Sequence, residues 1–175
     1  MKKKAKHAVF LDRDGTINYD EGYTYKFSEF KFKPHVLSGL KFLCKKKYLI
    51  FIVTNQAGIA KGKFKIKDLY KLHKCVIKYL KKKNIYITDI AFCPYHPKGI
   101  VKKYKKKTQY RKPGNLMLKK LIKKWNVNTM NSFMLGDRLS DKKAALKTNL
   151  YFEYPKYNFF SQIKKIHKKK INNCL

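Results

Sequence analysis

Apolar residues recur along this chain in two rhythms. Short, mainly apolar runs at 8–11, 48–53, 85–92, 133–135 and 150–152 have the length of strands buried on both faces. Between them, apolar positions return every three or four residues. Leu37, Leu40 and Leu43 follow Pro34, which opens a helix; Ile66, Leu69, Leu72, Val76 and Leu80 stripe a helix over about 66–82; Leu118, Leu121, Ile122 and Trp125 stripe another over 115–125. Shorter helices are predicted over 141–147 and 159–170. Strands alternating with helices predict an α/β protein, a Rossmann-like parallel sheet with helices on both faces. No Pro/Gly/Ser linker divides it, so residues 1–175 read as a single domain. Its core would span about 7–155, followed by a lysine-rich helix or tail over about 156–175. Two long stretches, 18–33 and 93–113, lack either rhythm, and loops of that length in a compact domain are more often functional than idle.

Composition narrows the picture. A chain of 175 residues that is 44% hydrophobic can bury about 70% of its unfolded surface. No run approaches the ~20 apolar residues of a membrane span. The basic start is followed by too short an apolar run for a signal peptide. Cys44, Cys75, Cys93 and Cys174 are scattered, which predicts a reduced cytoplasmic protein, and a monomer is expected. The net charge of +34 raises the question of a polyanionic partner. The lysines, however, are spread through the chain in runs such as 45–47, 81–83, 105–107 and 168–170, and no nucleic-acid motif accompanies them. Solvated faces are the preferred reading; a polynucleotide-end phosphatase or a nucleic-acid-binding protein is the rival one. Against 41 lysines there are three arginines, Arg13, Arg111 and Arg138, which suggests that a planar guanidinium is needed at those positions.

The chemistry gathers where the apolar runs end. Asp12 and Asp14 close the first run and, two apart on a strand tip, point the same way. Two carboxylates about 4 Å apart repel by roughly 4 kcal/mol at an effective dielectric of 20. A divalent cation would offset that repulsion, and a carboxylate beside one can attack phosphorus. Thr54-Asn55-Gln56 closes the second run, Arg111-Lys112-Pro113 ends the long loop after the third, and Gly136-Asp137-Arg138 follows the fourth, with Asp141 four residues beyond Asp137. In an open α/β sheet, ligands bind beyond these strand ends. A calcium loop fits poorly, because Gly15 stands at its fourth position and Tyr23 at its closing one. The run from Gly58 to Lys63 is one residue short of a nucleotide phosphate loop, and Phe64 replaces the needed hydroxyl, so it reads as a turn before a helix. Alone, Asp137 and Asp141 would cap a helix; the joint arrangement favours catalysis.

In this order DRDGT, TNQ, RKP and GDRLSD resemble the four motifs of the haloacid dehalogenase superfamily of aspartate-nucleophile phosphatases. INYDEGYTYKFSEFKF, VTNQAGIAKGKF and CPYHP extend the likeness, over about 7–155, to its small branch without a large cap domain, whose members act on heptose bisphosphate or histidinol phosphate. The resemblance implies that Asp12 is the nucleophile and that Asp14 protonates the leaving group and then activates water. Thr54 and Lys112 would hold the transferring group. Asp12, the carbonyl of Asp14, and Asp137 would ligate Mg²⁺, with Asp141 orienting that shell. Asp20, Glu21, Gly22, Tyr23, Asn55, Gln56, Ala57, Arg111 and Arg138 would contact the rest of a small phosphorylated sugar, with Arg111 facing a second phosphate. The implied substrate is a heptose 1,7-bisphosphate cleaved at the 7-position, with histidinol phosphate as the alternative.

One departure stands out. Relatives of this branch often hold structural zinc in the long loop through Cys-x-His and Cys-x-Cys. Here Cys93 is present, but Tyr95, Thr108 and Tyr110 occupy the other three positions and His96 is one residue displaced. One sulfur cannot build a four-ligand site, so no structural zinc is expected. Cys93 is then a buried small residue, and packing by Tyr95, Tyr104 and Tyr110 must hold the loop.

Overall fold

A computed structural model describes residues 6–172; the basic start and Cys174 lie outside them. Its strands are β1 (Ala8–Leu11), β2 (Leu49–Asn55), β3 (Asp89–Cys93), β4 (Phe133–Leu135) and β5 (Tyr151–Glu153), and its helices α1 (Val36–Lys45), α2 (Ala57–Ala60), α3 (Ile66–Lys81), α4 (Leu116–Trp125), α5 (Leu139–Leu146) and α6 (Phe159–Asn172). The strands form one sheet in the order β3-β2-β1-β4-β5, parallel throughout.

Side chains alternate across each strand, and the core divides accordingly. Val9, Leu11, Ile50, Ile52, Phe133 and Leu135 face one layer, which holds Leu40 and Leu43 of α1, Leu72 and Val76 of α3, and Phe159, Ile163 and Ile166 of α6. Ala8, Phe10, Phe51, Val53 and Met134 face the other, with Met117, Leu118 and Leu121 of α4 and Ala144 and Ala145 of α5. Because both faces are covered, the strands read as continuous apolar runs, and the α/β architecture expected from them is present. Through its apolar stripe, the lysine-rich α6 packs on the first layer.

Several boundaries differ from the pattern. β2 runs past Val53 because Thr54 and Asn55 still pair with Phe92 and Cys93. β3 begins only at Asp89. Its expected first half instead leaves α3 through Asn84 in the left-handed region, and Thr88 alone reaches the sheet, accepting at Oγ1 from the Ile50 amide. α5 starts at Leu139, two residues early, because the Asp141 carboxylate reaches back to accept from the Arg138 amide at 3.0 Å. The turn after Gln56 tightens into α2, a single helical turn.

The chain goes from β1 outward to β2 and β3, then returns to the other side of β1 for β4. Strand order therefore reverses between β1 and β4, and a crevice opens at that point beyond their carboxyl ends.

Candidate active site

Beyond the reversal lies an open cleft of about 510 Å³. Asp12, Asp14, Thr54, Asn55, Gln56, Ala57, Arg111, Lys112, Arg138, Asp141, Asp20, Gly22 and Tyr23 line it. Glu21, grouped with its neighbours in the sequence, instead pairs with Lys31 on the surface at 2.9 Å. Four further residues also line the cleft: Gly58, Lys61, His96 and Ser140. Composition gives no means of telling Lys61 from forty other lysines, and the displacement of His96 from the zinc pattern gives no hint of a place in the cleft.

Asp12 prolongs β1, its amide donating to the Leu135 carbonyl at 2.9 Å. Its carboxylate is buried, accepts from the Arg13 amide at 2.8 Å, and sits 2.9 Å from Lys112 Nζ. The same ammonium meets Asp141 Oδ1 at 2.5 Å and donates to the Val53 carbonyl at 2.7 Å. Burial pushes the Asp12 carboxyl up to about 7, with Asp141 adding to the rise and Lys112 opposing it. Burial alone would lower Lys112, but Asp12 and Asp141 hold it above the usual lysine range. Asp137 is also raised, first by burial and then by Asp141.

Carboxylate oxygens of Asp12, Asp137 and Asp141 lie within 4.8 Å of one another. Asp12 and Asp141 share the Lys112 ammonium, and Asp137 lies 3.7 Å from Arg138 Nε, so three acids crowd a partly dry site. Asp137 Oδ1 is buried without a hydrogen-bond partner. Asp141 Oδ2 accepts from the Arg138 amide, whereas its Oδ1, ion-paired with Lys112, is also buried without a hydrogen bond. The donor set, all hard oxygens with two orphaned acceptors, fits Mg²⁺ held by Asp12 and Asp137, with Asp141 tethered beside them by Lys112 and Arg138.

The tips of the other strands serve this centre. Thr54 is buried, and its Oγ1 accepts from Gln56 Nε2 at 2.9 Å; that amide also donates to Asp14 Oδ2 at 2.8 Å. Asn55 lines the cleft, and its amide is held by the backbone of Lys112. Its Nδ2 donates to the Lys112 carbonyl and its Oδ1 accepts from the Lys112 amide, both at 3.0 Å, so it fastens the lysine to β2. Arg138 donates to Asp20 Oδ2 at 2.8 Å, tying the loop after β1 to the loop after β4. Arg111 has no carboxylate partner among the described residues; its guanidinium donates to the Tyr95 carbonyl at 3.5 Å. Cys93 is buried as expected, the Tyr95 and Tyr104 rings lie 6.0 Å apart, and Lys106 stands 4.2 Å above Tyr95.

Gly15 makes the close assembly possible. It has φ +81°, and a Cβ there would fall 2.3 Å from Asp137 Oδ2. Gly15→Ala is therefore expected to lose ~1–3 kcal/mol of stability, from backbone strain and the displaced carboxylate, and most of its activity. Urea unfolding and turnover measured together check this; an unchanged midpoint would contradict it.

A buried aspartate on a central strand tip, backed by a lysine, a threonine and two further acids, is the arrangement that the resemblance to haloacid dehalogenase phosphatases led one to expect. Residues 8–160 match the family Polynucleotide kinase 3 phosphatase, and the chain belongs to it. It is 38% identical over 138 residues to the D-glycero-beta-D-manno-heptose-1,7-bisphosphate 7-phosphatase of Rhodopseudomonas palustris, covering 79% of this chain and 77% of that one. The enzyme of the same name from Escherichia coli K12 is 35% identical over 147 residues, covering 84% and 77%. Among solved structures, D,D-heptose 1,7-bisphosphate phosphatase from B. bronchiseptica, complexed with magnesium and phosphate, has the same fold. Its TM-score is 0.76 at 21% identity, covering 96% of this chain and 98% of that one. A HAD-like protein from Mesorhizobium loti reaches a TM-score of 0.85 at 23% identity, covering 95% and 88%.

Proposed function

We propose that this phosphatase is Mg²⁺-dependent, works through a phosphoryl group carried on Asp12, and removes the 7-phosphate of D-glycero-D-manno-heptose 1,7-bisphosphate. The observation that carries the reading is the Asp12 carboxylate, buried at the floor of the cleft between Lys112 and the acids of β4 and α5. The names of the relatives that are 35–38% identical support the substrate.

Asp12 attacks phosphorus as the bond to the sugar oxygen breaks, and Asp14 gives that oxygen its proton. Asp14 then takes a proton from the water that cleaves the acyl phosphate, which returns Asp12 to a carboxylate. Thr54 Oγ1 and Lys112 Nζ hold oxygens of the transferring group. Asp12, the Asp14 carbonyl and Asp137 would hold the cation. When bound, it supplies positive charge for the phosphoryl oxygens and neutralises the crowded acids. Arg111, whose guanidinium has no carboxylate partner among the described residues, would face the second phosphate. A monomer is the proposed state. No described helix is long and apolar enough to cross a membrane, and the scattered cysteines favour the cytoplasm.

The family's description and the charge of +34 favour a second reading, a 3′-phosphatase of polynucleotide ends. A phosphate-release screen with Mg²⁺ separates them. The heptose bisphosphate is expected to turn over fastest, leaving the 1-phosphate. Faster release from histidinol phosphate or from 3′-phosphorylated oligonucleotides would overturn the substrate assignment.

We also propose that the loop after β3 carries no structural zinc. Cys93 is the lone sulfur, and backbone bonds from Ile100 and Val101 to the Ala60 carbonyl, at 2.8 and 3.0 Å, tie the loop to α2. Protein purified without chelator is expected to contain no stoichiometric zinc by elemental analysis; one equivalent per chain would refute this.

A further inference from the structure

Arg111 and Arg138 border the cleft, but Arg13 does not. Its side chain is buried, with 1% exposure, although it stands between two catalytic aspartates. Its Nε donates to Asp14 Oδ1 at 3.0 Å, and its Nη2 donates both to Asp14 Oδ2 at 2.9 Å and to the Thr24 carbonyl at 2.8 Å. Its Nη1 lies 3.4 Å from His73 Nε2 on α3. Asn18 Nδ2 donates to Asp14 Oδ1 at 3.0 Å, and Gln56 Nε2 to Oδ2. Four donors thus fill the acceptor positions of one carboxylate. A lysine, with a single charged nitrogen, could not span both oxygens and the carbonyl.

We infer that Arg13 is a positioning residue: from beneath the cleft it aims the Asp14 carboxyl at the leaving oxygen, and His73 buttresses it from α3. The inference rests on the reading of Asp14 as the proton donor. To carry a proton, Asp14 must give up one of its four accepted bonds. Gln56 is the donor able to leave, since its amide also serves Thr54. Arg13 and Asn18 keep their hold, so the carboxyl stays aligned while the proton moves to the alkoxide. His73 suits the buttress: burial, then the Arg13 charge, brings its imidazole down to about 3, so it stays neutral with a lone pair for Arg13. The Thr24 bond ties the loop that carries Asp20 and Tyr23 to the same guanidinium.

Leaving-group dependence tests the assignment, because an alkoxide needs the proton and a nitrophenolate leaves without one. Arg13→Lys is expected to lower kcat/KM on an alkyl phosphate, the sugar bisphosphate, by about 30- to 100-fold, part of the 10²–10⁴ that a general acid supplies. On p-nitrophenyl phosphate the loss in kcat/KM, which ends at departure of the leaving group and so excludes the later water step common to both substrates, should stay within about threefold. His73→Leu should show the same pattern at roughly fivefold, and it decides the matter if Arg13→Lys does not fold by circular dichroism. Equal losses on both substrates, or none on the alkyl one, would overturn the inference. Asp14→Asn, assayed beside them, separates the two levels. If Asp14→Asn shows the leaving-group pattern and the Arg13 and His73 variants do not, only the positioning role fails. If Asp14→Asn lacks the pattern, the proton-donor reading fails with it.

Discussion

Asp12→Asn should release no measurable phosphate from any substrate that the wild-type protein hydrolyses, a loss of at least ~10⁴-fold in kcat. The substitution keeps the shape of the side chain and removes only the proposed nucleophile, since an amide oxygen does not form an acyl phosphate under these conditions. The fold should survive. Lys112 would still have Asp141 and the Val53 carbonyl, and the oxygen of the new side-chain amide could still accept from the Arg13 backbone N–H. Stability should even rise by about 0.5–2 kcal/mol, because burial already pushes the Asp12 carboxyl up to about 7 and its removal leaves two crowded acids where there were three. Phosphate release and a thermal melt on the same preparation test both halves. Residual turnover within a hundredfold of wild type would remove the covalent mechanism.

Lys112→Met should be the most damaging change to the fold. Lys112 is 3% exposed and is the counter-charge for two buried carboxylates. Methionine keeps most of its length and none of its charge. Removing one partner of a buried ionic cluster leaves uncompensated charge and costs about 3–5 kcal/mol. Activity should fall by roughly 10²–10³, the scale of one lost donor to a developing oxyanion. In the Asp12→Asn background the stability loss should shrink, since one of the two abandoned acids is gone. Denaturant unfolding of the four proteins of this cycle measures it; additive losses would mean that Lys112 and Asp12 do not sense each other.

Much of the site was readable because its chemistry coincides with the ends of apolar runs. Asp12, Asp14 and Thr54 stand where their runs break off, Lys112 ends the loop after the third run and Asp141 follows the fourth, and the sheet brings them together in one cleft. Contacts beyond the catalytic group were harder to read. Asp20 and Tyr23 enter the cleft and Glu21 between them does not, because a loop in irregular conformation has no period from which to tell inward from outward. Asn55 shows the complementary limit: its residue type suited a substrate contact, but its amide fastens Lys112 across 57 residues of chain. Lysine abundance hid Lys61, whereas arginine scarcity marked Arg13 without revealing that its side chain turns beneath the cleft.

By itself, the order of residues determined the alternation of strands and helices, the burial of both sheet faces, and which acids stand at strand tips. These follow from side-chain periodicity and the length of apolar runs, which are local quantities. Tertiary structure alone decided that strand order reverses beside β1, that one ammonium joins two acids from different elements, and which donors surround Asp14. Such facts depend on distances between residues far apart in the chain, which no local pattern encodes and which only the packed sheet sets.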